Sequence, residues 1–319
     1  MRHLYIRLTN GTLTPPEGVN STKISVIIPV FNSDTSIEKC IRSILIQTLD
    51  EIEVICIDDG STDGSMAVIE KITDEDERVK TFHKKHMGAG SARNTGIERA
   101  EGEFLSFVDS DDNYPNKSVL KELYTKAMLN GADVCGGSWN LLDPTTDDYD
   151  KMVFSNEGFI DFHSYQYDYG FQRFIYHRKL FSNPMIRFPQ YTVYEDPVFF
   201  IRVMMETGKF YAIPPCTYSY TPTPHTFNNK EKLLNYFRAL SECLMMTNRG
   251  GFAKLHSIQF RRLIKTGCKY GRILLSRSEL EEQIKGIAIN LNKDYLAQYG
   301  YSISELMKAI DDSSHSKID

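Results

Sequence analysis

Three apolar runs, each closing on polar residues, limit what this chain can fold into. They are Ile24-Ser-Val-Ile-Ile-Pro-Val-Phe31, Glu53-Val-Ile-Cys-Ile57 and Phe104-Leu-Ser-Phe-Val108. Continuous apolar runs of this kind read as strands buried on both faces, the arrangement of parallel sheets. Helical spacing fills the intervals. Ile37, Cys40, Ile41, Ile44, Leu45 and Thr48 recur on one face of an expected helix over 35–48. Further helices are expected over 65–73, from Gly88–Gly96 on to Ala100, and over 116–130, with strands at Val79–His83 and 133–137. Such alternation specifies an α/β fold: a doubly wound, mostly parallel sheet with helices on both faces.

The 319 residues suit one large domain with a smaller appendage, and a hydrophobic share of 41% supports a real core. Residues 1–22 read as an N-terminal extension. Residues 23–225 form the main domain, divided into 23–138 and 139–225. Residues 226–319 form a smaller α-helical part, with helices over 229–247, 252–276, 278–293 and 303–311. The interval 139–172 is rich in Asp, Tyr and Phe without periodicity, as binding loops and lids are.

The net charge of −5 gives no reason to expect a nucleic-acid partner. Six cysteines stand far apart with no C-x-x-C, so neither a zinc site nor a disulfide framework is indicated. Reduced core cysteines favour a cytoplasmic setting. Met1–Asn20 has no apolar central region of a signal peptide, and no run is long enough for a membrane span.

Polar residues cluster where the strands end, at Pro29–Asn32, Asp58–Asp59 and Asp109–Asp112. Open α/β sheets bind ligands at such carboxyl ends. A dinucleotide site would need G-x-G-x-x-G after the first strand, where this chain has Pro-Val-Phe-Asn-Ser-Asp. A Walker A loop is also lacking. Asp109 and Asp111 could offer oxygen to one hard divalent cation, or simply form an acidic turn.

In order, Val-Ile-Ile-Pro-Val-Phe-Asn, Ile-Asp-Asp-Gly-Ser-Thr-Asp-Gly-Ser, Gly-x-x-x-Ala-Arg-Asn-x-Gly and Phe-Val-Asp-Ser-Asp-Asp resemble the motifs of the family 2 glycosyltransferases. These are nucleotide-sugar enzymes with the GT-A fold, many of them builders of bacterial surface glycans. The likeness is dense over 23–136 and thinner to 225. It implies that Pro29, Val30, Phe31 and Asn32 pack around the nucleoside, with Ser110 nearby. It implies that Asp58 or Asp59 accepts a hydrogen bond from the base, usually uracil, and that Arg93 lies by the nucleotide. Asp109 and Asp111 would hold Mn2+ or Mg2+ on the sugar diphosphate.

Tyr194-Glu195-Asp196-Pro197 resembles the family's acid pair, whose Asp is the usual base, with Glu195 as the other candidate. Inverting transfer needs such a base to take the proton of the acceptor hydroxyl. Asp196 before Pro197 also fits a helix N-cap, a role that would lower its pKa. The resemblance implies a nucleotide-sugar donor, UDP-linked by the family's habit, and a glycan or lipid-linked glycan as acceptor. The competing reading is a non-catalytic nucleotide-sugar-binding module in a glycan assembly complex.

Three features stand outside these motifs. His225 lies where relatives carry a segment that closes over the donor. Trp139, the single tryptophan, is placed to stack on a sugar face or cap the core. Residues 251–278 hold seven Lys or Arg and no Asp or Glu: a solvated helix face, or a peripheral contact with the inner face of the cell membrane.

Overall fold

The computed structural model describes residues 22–140, 153–221 and 227–311, together with the backbone of a small hairpin, β1 (Arg7–Thr9) and β2 (Thr12–Thr14). The hairpin lies in the expected extension.

Strands β3 (Ile24–Val30), β4 (Ile52–Asp58), β5 (Val79–His83) and β6 (Phe104–Phe107) run parallel. Every residue of β3 and β4 is buried. Their β-branched side chains are stiff at χ1 and pack well on a pleated surface. Alternate residues divide between two layers. Ile27, Ile55 and Ile57 join Ala92 and Ile97 of α3 (Ala89–Arg99) on one face. Val26, Ile28, Val54 and Cys56 join α1 (Ile37–Leu45), α2 (Ser65–Glu75) and α4 (Val119–Asn130) on the other.

The sheet continues through β9 (Phe174–His177), which enters antiparallel between β6 and β7 (Val134–Asn140). Next comes β10 (Lys209–Ser219), parallel to β7, and then β8 (Gly158–Asp161) at the edge. The eight strands lie in the order β5-β4-β3-β6-β9-β7-β10-β8, with only β8 and β9 reversed. The chain therefore leaves β3 toward β4 and β5, then returns to lay β6 on β3's other side. Such a reversal opens a crevice at the carboxyl ends of the strands. Phe31–Asn32 and Asp109–Asp112 follow the two ends that flank it.

Close packing beneath the crevice depends on Gly96 of α3. A Cβ there would stand 2.3 Å from Cγ2 of Ile27, and overpacking of this kind costs about 1–3 kcal/mol.

The structure redraws several expected boundaries. Strand β10 runs unbroken through two prolines, and its register shifts on either side of Cys216. Pro214 and Pro215 fall inside the first shift, where the missing N–H groups cannot continue the ladder. The interval 139–172 is less irregular than expected, since it includes β8 and one helical turn, α5 (Phe162–Tyr165). Residues 141–152 and 222–226, the latter with His225, lie outside the described residues.

Helix α6 (Glu195–Thr207) covers the α3 face of the sheet. Beyond it, α7 (Lys230–Arg249) divides its apolar residues between two cores. Ala239, Cys243 and Met246 pack into the sheet domain, while Leu233, Phe237, Leu240 and Leu244 pack into the helical part. The expected helix over 252–276 is broken into α8 (Ala253–Arg262), a π-helical turn at Leu263–Cys268 and α9 (Lys269–Leu274). The unanticipated short helix α11 (Lys293–Gln298) follows α10 (Arg277–Ala288), and α12 (Ile303–Asp311) ends the described chain.

The basic stretch is not one solvated face. Arg262 is engaged in an ion pair with the buried Asp168, and Lys254 sits 3.9 Å above the ring of Tyr167. Among the described residues no helix is long and apolar enough to cross a membrane.

Candidate active site

At the end of β4, Asp58 and Asp59 are both buried, and each organises a turn. The Asp58 carboxylate accepts from the backbone N–H of Gly60 and of Ser61, both at 3.2 Å, and contacts His83 Nδ1 at 2.5 Å. Gly60, at φ +79°, supplies the left-handed residue of this turn. Asp59 accepts from the N–H of Met87 at 3.0 Å and of Gly88 at 2.7 Å, and from Lys84 Nζ at 3.1 Å. Asp59 thus fixes the segment that opens α3.

Pro29 and Val30 are buried in β3, whereas Phe31 is 44% exposed and stacks on His86 with ring centroids 4.1 Å apart. Asn32 adopts φ 49°, and its Oδ1 accepts from the N–H of Thr62 at 2.8 Å. The hydroxyls of Ser33 and Ser110 meet at 2.7 Å, tying the β3 end to the β6 end.

After β6, the acids separate by environment. Asp109 Oδ1 accepts from Arg93 Nη2 at 2.6 Å and Oδ2 from Gln172 Nε2 at 2.9 Å. Asp111 is exposed, and its carbonyl accepts from Thr221 Oγ1 at 3.0 Å. Asp112 is buried, with Oδ2 bonded to the Tyr218 hydroxyl and Oδ1 to the N–H of Thr221, both at 2.6 Å. Burial raises the Asp112 carboxyl to about 7, against the lowering effect of Tyr218.

Arg93 joins the two sides of the crevice. Its Nη1 donates to Glu195 Oε1 at 2.8 Å while Nη2 holds Asp109. Arg93 is 4% exposed, and its guanidinium lies over the rings of Phe171 and Phe188, 5.1 and 5.2 Å from their centroids. Burial works against its charge, but Asp109 and Glu195 prevail and hold it firmly protonated. A contact between Arg93 and a diphosphate would require one of these pairs to open.

The acid pair itself departs from the expected cap. Tyr194, not Asp196, is the N-cap residue of α6, and Tyr194 adopts φ 65°. Asp196 is the second residue of the helix. It is therefore not tied up in capping, and its pKa moves opposite to the capping expectation. Burial, reinforced by the charge of Glu195, pushes the Asp196 carboxyl well above the usual carboxylate range, with Arg93 opposing.

The residues fit a hard cation. Asp109 and Asp111 would offer carboxylate oxygen from positions two apart in the chain. Among the described residues no cluster of three or more His, Cys, Asp or Glu forms a complete metal cage. Mg2+ and Mn2+ accept this donor set, because one or two carboxylates suffice when phosphate and water complete the shell.

Trp139 packs near Gly170 and meets Tyr220 edge-on at 5.4 Å, and its buried Nε1 has no hydrogen-bond partner among the described residues. Gln172, Tyr218, Asp168 and Arg262 lie outside every motif. The available signals were a single acid in the aromatic run Tyr165-Gln-Tyr-Asp-Tyr169 and an Arg pair, Arg261-Arg262, set between the apolar Phe260 and Leu263. Either residue, once buried, requires a partner of opposite charge.

Comparison with known proteins agrees with this architecture. The chain is 40% identical over 113 residues to the uncharacterized glycosyltransferase EpsJ of Bacillus subtilis, covering 35% of this chain and 33% of that protein. The match thus spans about a third of that relative's length. Structures of S. aureus TarS 1–349, among them complexes with UDP and UDP-GlcNAc, share the fold at a TM-score of 0.70 and 20% identity. That likeness covers 91% of this chain and 88% of the UDP-bound one. The mannosyltransferase PcManGT of Pyrobaculum calidifontis, in complex with GDP-Man and Mn2+, matches at a TM-score of 0.55 and 17% identity over 92% of this chain and 88% of its own. The sheet with its helical appendage is therefore of the GT-A type. The model of Glycosyl transferase family 2 matches residues 25–199, more than half of the sequence, and the chain belongs to that family.

Proposed function

We propose that this chain is an inverting, divalent-metal-dependent glycosyltransferase. It moves a sugar from a UDP-sugar to a hydroxyl of a glycan or lipid-linked glycan. The observation that carries this reading is the Arg93 bridge. One buried guanidinium joins Asp109, on the diphosphate side, to Glu195, the neighbour of Asp196. UDP-bound TarS and GDP-Man-bound PcManGT lend support through the shared fold.

Phe31 gives the nucleobase an exposed flat face, and Asp58 or Asp59 accepts its N–H, as a carboxylate can. Pro29, Val30, Asn32 and Ser110 shape the rest of the nucleoside site. Asp109 and Asp111 hold Mn2+ or Mg2+, which when bound neutralises charge on the departing diphosphate. Asp196, ionised, takes the proton of the acceptor hydroxyl. The hydroxyl oxygen bonds to the anomeric carbon as that carbon's bond to the diphosphate oxygen breaks on the opposite face. With a lipid-linked acceptor, the exposed Lys265 and Lys269 would face an anionic membrane surface.

Turnover of a UDP-sugar panel, with and without Mn2+, tests the reading. Asp196→Asn should lower turnover by about 10²–10⁴-fold while calorimetry finds UDP–Mn2+ affinity unchanged. Retained turnover would refute the base. Asp111→Ala should weaken Mn2+-dependent UDP binding at least about tenfold, and equal affinity would refute the metal role. Binding of UDP with no turnover across the panel would favour the non-catalytic module.

A further inference from the structure

The segment 25–199 that defines the family does not complete the surroundings of its own acid pair. Asp168 is 1% exposed, and its charge is matched from α8. Arg262 closes on it with two parallel bonds, Nη1 to Oδ2 at 2.7 Å and Nη2 to Oδ1 at 2.9 Å. Gln259 Nε2 adds a third at 2.6 Å. The paired fork fixes direction as well as distance. The same guanidinium lies 4.1 Å from the ring centroid of Tyr169 and donates to the hydroxyl of Tyr194. That hydroxyl in turn donates to Gln259 Oε1 at 3.0 Å.

Tyr194 directly precedes Glu195 and Asp196, and its φ is 65°. The left-handed region disfavours a residue with a bulky side chain. Such a conformation persists only where the surroundings impose it. Here its hydroxyl is held by Arg262 and Gln259, and its ring meets that of Tyr236 edge-on at 5.0 Å.

We infer that Arg262 is a positioning residue, which through Asp168 and Tyr194 sets the direction and the charge surroundings of Asp196. The inference rests on the reading of Asp196 as the base, and it deepens that reading. It makes the helical part a component of the active site. The groups that act electrostatically on Asp196 come from several elements: Glu195 on its own helix, Arg93 from α3, and Asp168 from the segment before β9. The Cys243 thiol of α7 also senses Asp196, and burial keeps it neutral. Glu195 and Asp168 favour the protonated acid, and Arg93 favours the carboxylate.

The test is a carboxyl-carbon NMR titration of the full chain labelled at Asp, with the Asp196 resonance assigned by its loss in Asp196→Asn. Arg262→Gln leaves the Asp168 charge unmatched and should raise the Asp196 midpoint by about one pH unit. Asp168→Asn should lower it, and UDP–Mn2+ affinity should stay unchanged in both. Opposite shifts from two variants that break the same pair cannot come from general loosening, which would move both alike. Arg262→Lys should restore most of the wild-type midpoint.

If Arg262→Gln fails to fold, the double variant Asp168→Asn with Arg262→Gln buries no lone charge and should also titrate below wild type. A midpoint within experimental error of wild type in the folded variants overturns the inference. The underlying reading fails separately: Asp196→Asn would then keep its turnover even where the NMR shifts appear.

Discussion

On the nucleotide side of the crevice, most partners lie close along the chain. Asp58 bonds three residues ahead to Ser61, Asn32 thirty residues ahead to Thr62, and Asp59 twenty-nine ahead to Gly88. On the side proposed to take the acceptor the reach is longer. Arg93 and Glu195 are 102 residues apart, Tyr218 and Asp112 106, and Arg262 and Asp168 94. Extra loop length costs little by itself, because closure entropy grows only logarithmically. The chemistry differs more. The near contacts are mainly backbone N–H groups offered by turns, and a turn can relax toward water. Two of the three distant ones are buried ion pairs, and removing one partner strands the other's charge. The acceptor side should therefore be the more fragile.

Arg93→Met gives this comparison its hardest test. It would leave Glu195, with its side chain 12% exposed, and Asp109, at 25%, without their common partner. Loss of one partner from a buried pair typically costs about 3–5 kcal/mol. Chemical denaturation should show a drop of that size. Arg93→Lys should recover little, since a point charge cannot span two carboxylates as the fork does. A loss below about 1 kcal/mol would reduce the bridge to the value of a surface pair and end the comparison.

The helical part supplies a control in which a distant contact carries no charge. His256 is fully buried between α7 and the start of α11. Its Nε2 accepts from the N–H of Asn292 at 3.0 Å, so Nδ1 carries the proton and meets Thr247 Oγ1 at 2.9 Å. Burial lowers its pKa from 6.5 to about 4. Above pH 6.5 the folded and unfolded chains are both neutral at this site. As pH falls from 6.5 toward 4, the unfolded chain binds a proton that the folded one refuses, so stability is lost. The full loss approaches about 3 kcal/mol. Denaturation series at pH 7 and pH 4.5 on wild type and His256→Gln should show a loss toward low pH that is larger in wild type by about that amount. Equal slopes would mean that the ring is not held neutral.

The same division explains what could be read from the sequence. Apolar runs gave the buried strands and amphipathic spacing gave α1 and α4, because burial follows local periodicity. The crevice acids stood out because a strand end and its turn are consecutive. Gln172, Tyr218 and Arg262 gave no comparable sign, since each acts on an acid between 63 and 106 residues away. Asp196 shows how a local rule can mislead. Asp before Pro fits an N-cap, but the left-handed Tyr194 starts the helix two residues earlier than that rule would. The hydrogen bonds of Tyr194, which come from α8, could not be seen in the motif.

Asp59→Asn probes the near side and should have the smallest effect. The substitution keeps the shape and one acceptor oxygen, but turns an NH2 toward one of the two N–H groups now bonded, those of Met87 and Gly88. It also removes the charge that Lys84 faces. One donor then goes unsatisfied, at a cost of about 1–3 kcal/mol if water cannot reach it. Met87 is 55% exposed, so water can reach this turn and the cost should fall near the lower end. The fold should survive and α3 should still form, with Arg93 still bonded to Asp109 and Glu195. A loss of about 1 kcal/mol in Asp59→Asn beside one at least twice as large in Arg93→Met would establish the asymmetry between the two sides. Equal losses would show that Asp59 acts on Arg93 by holding the start of α3, and that the two sides of the crevice form one cooperative unit.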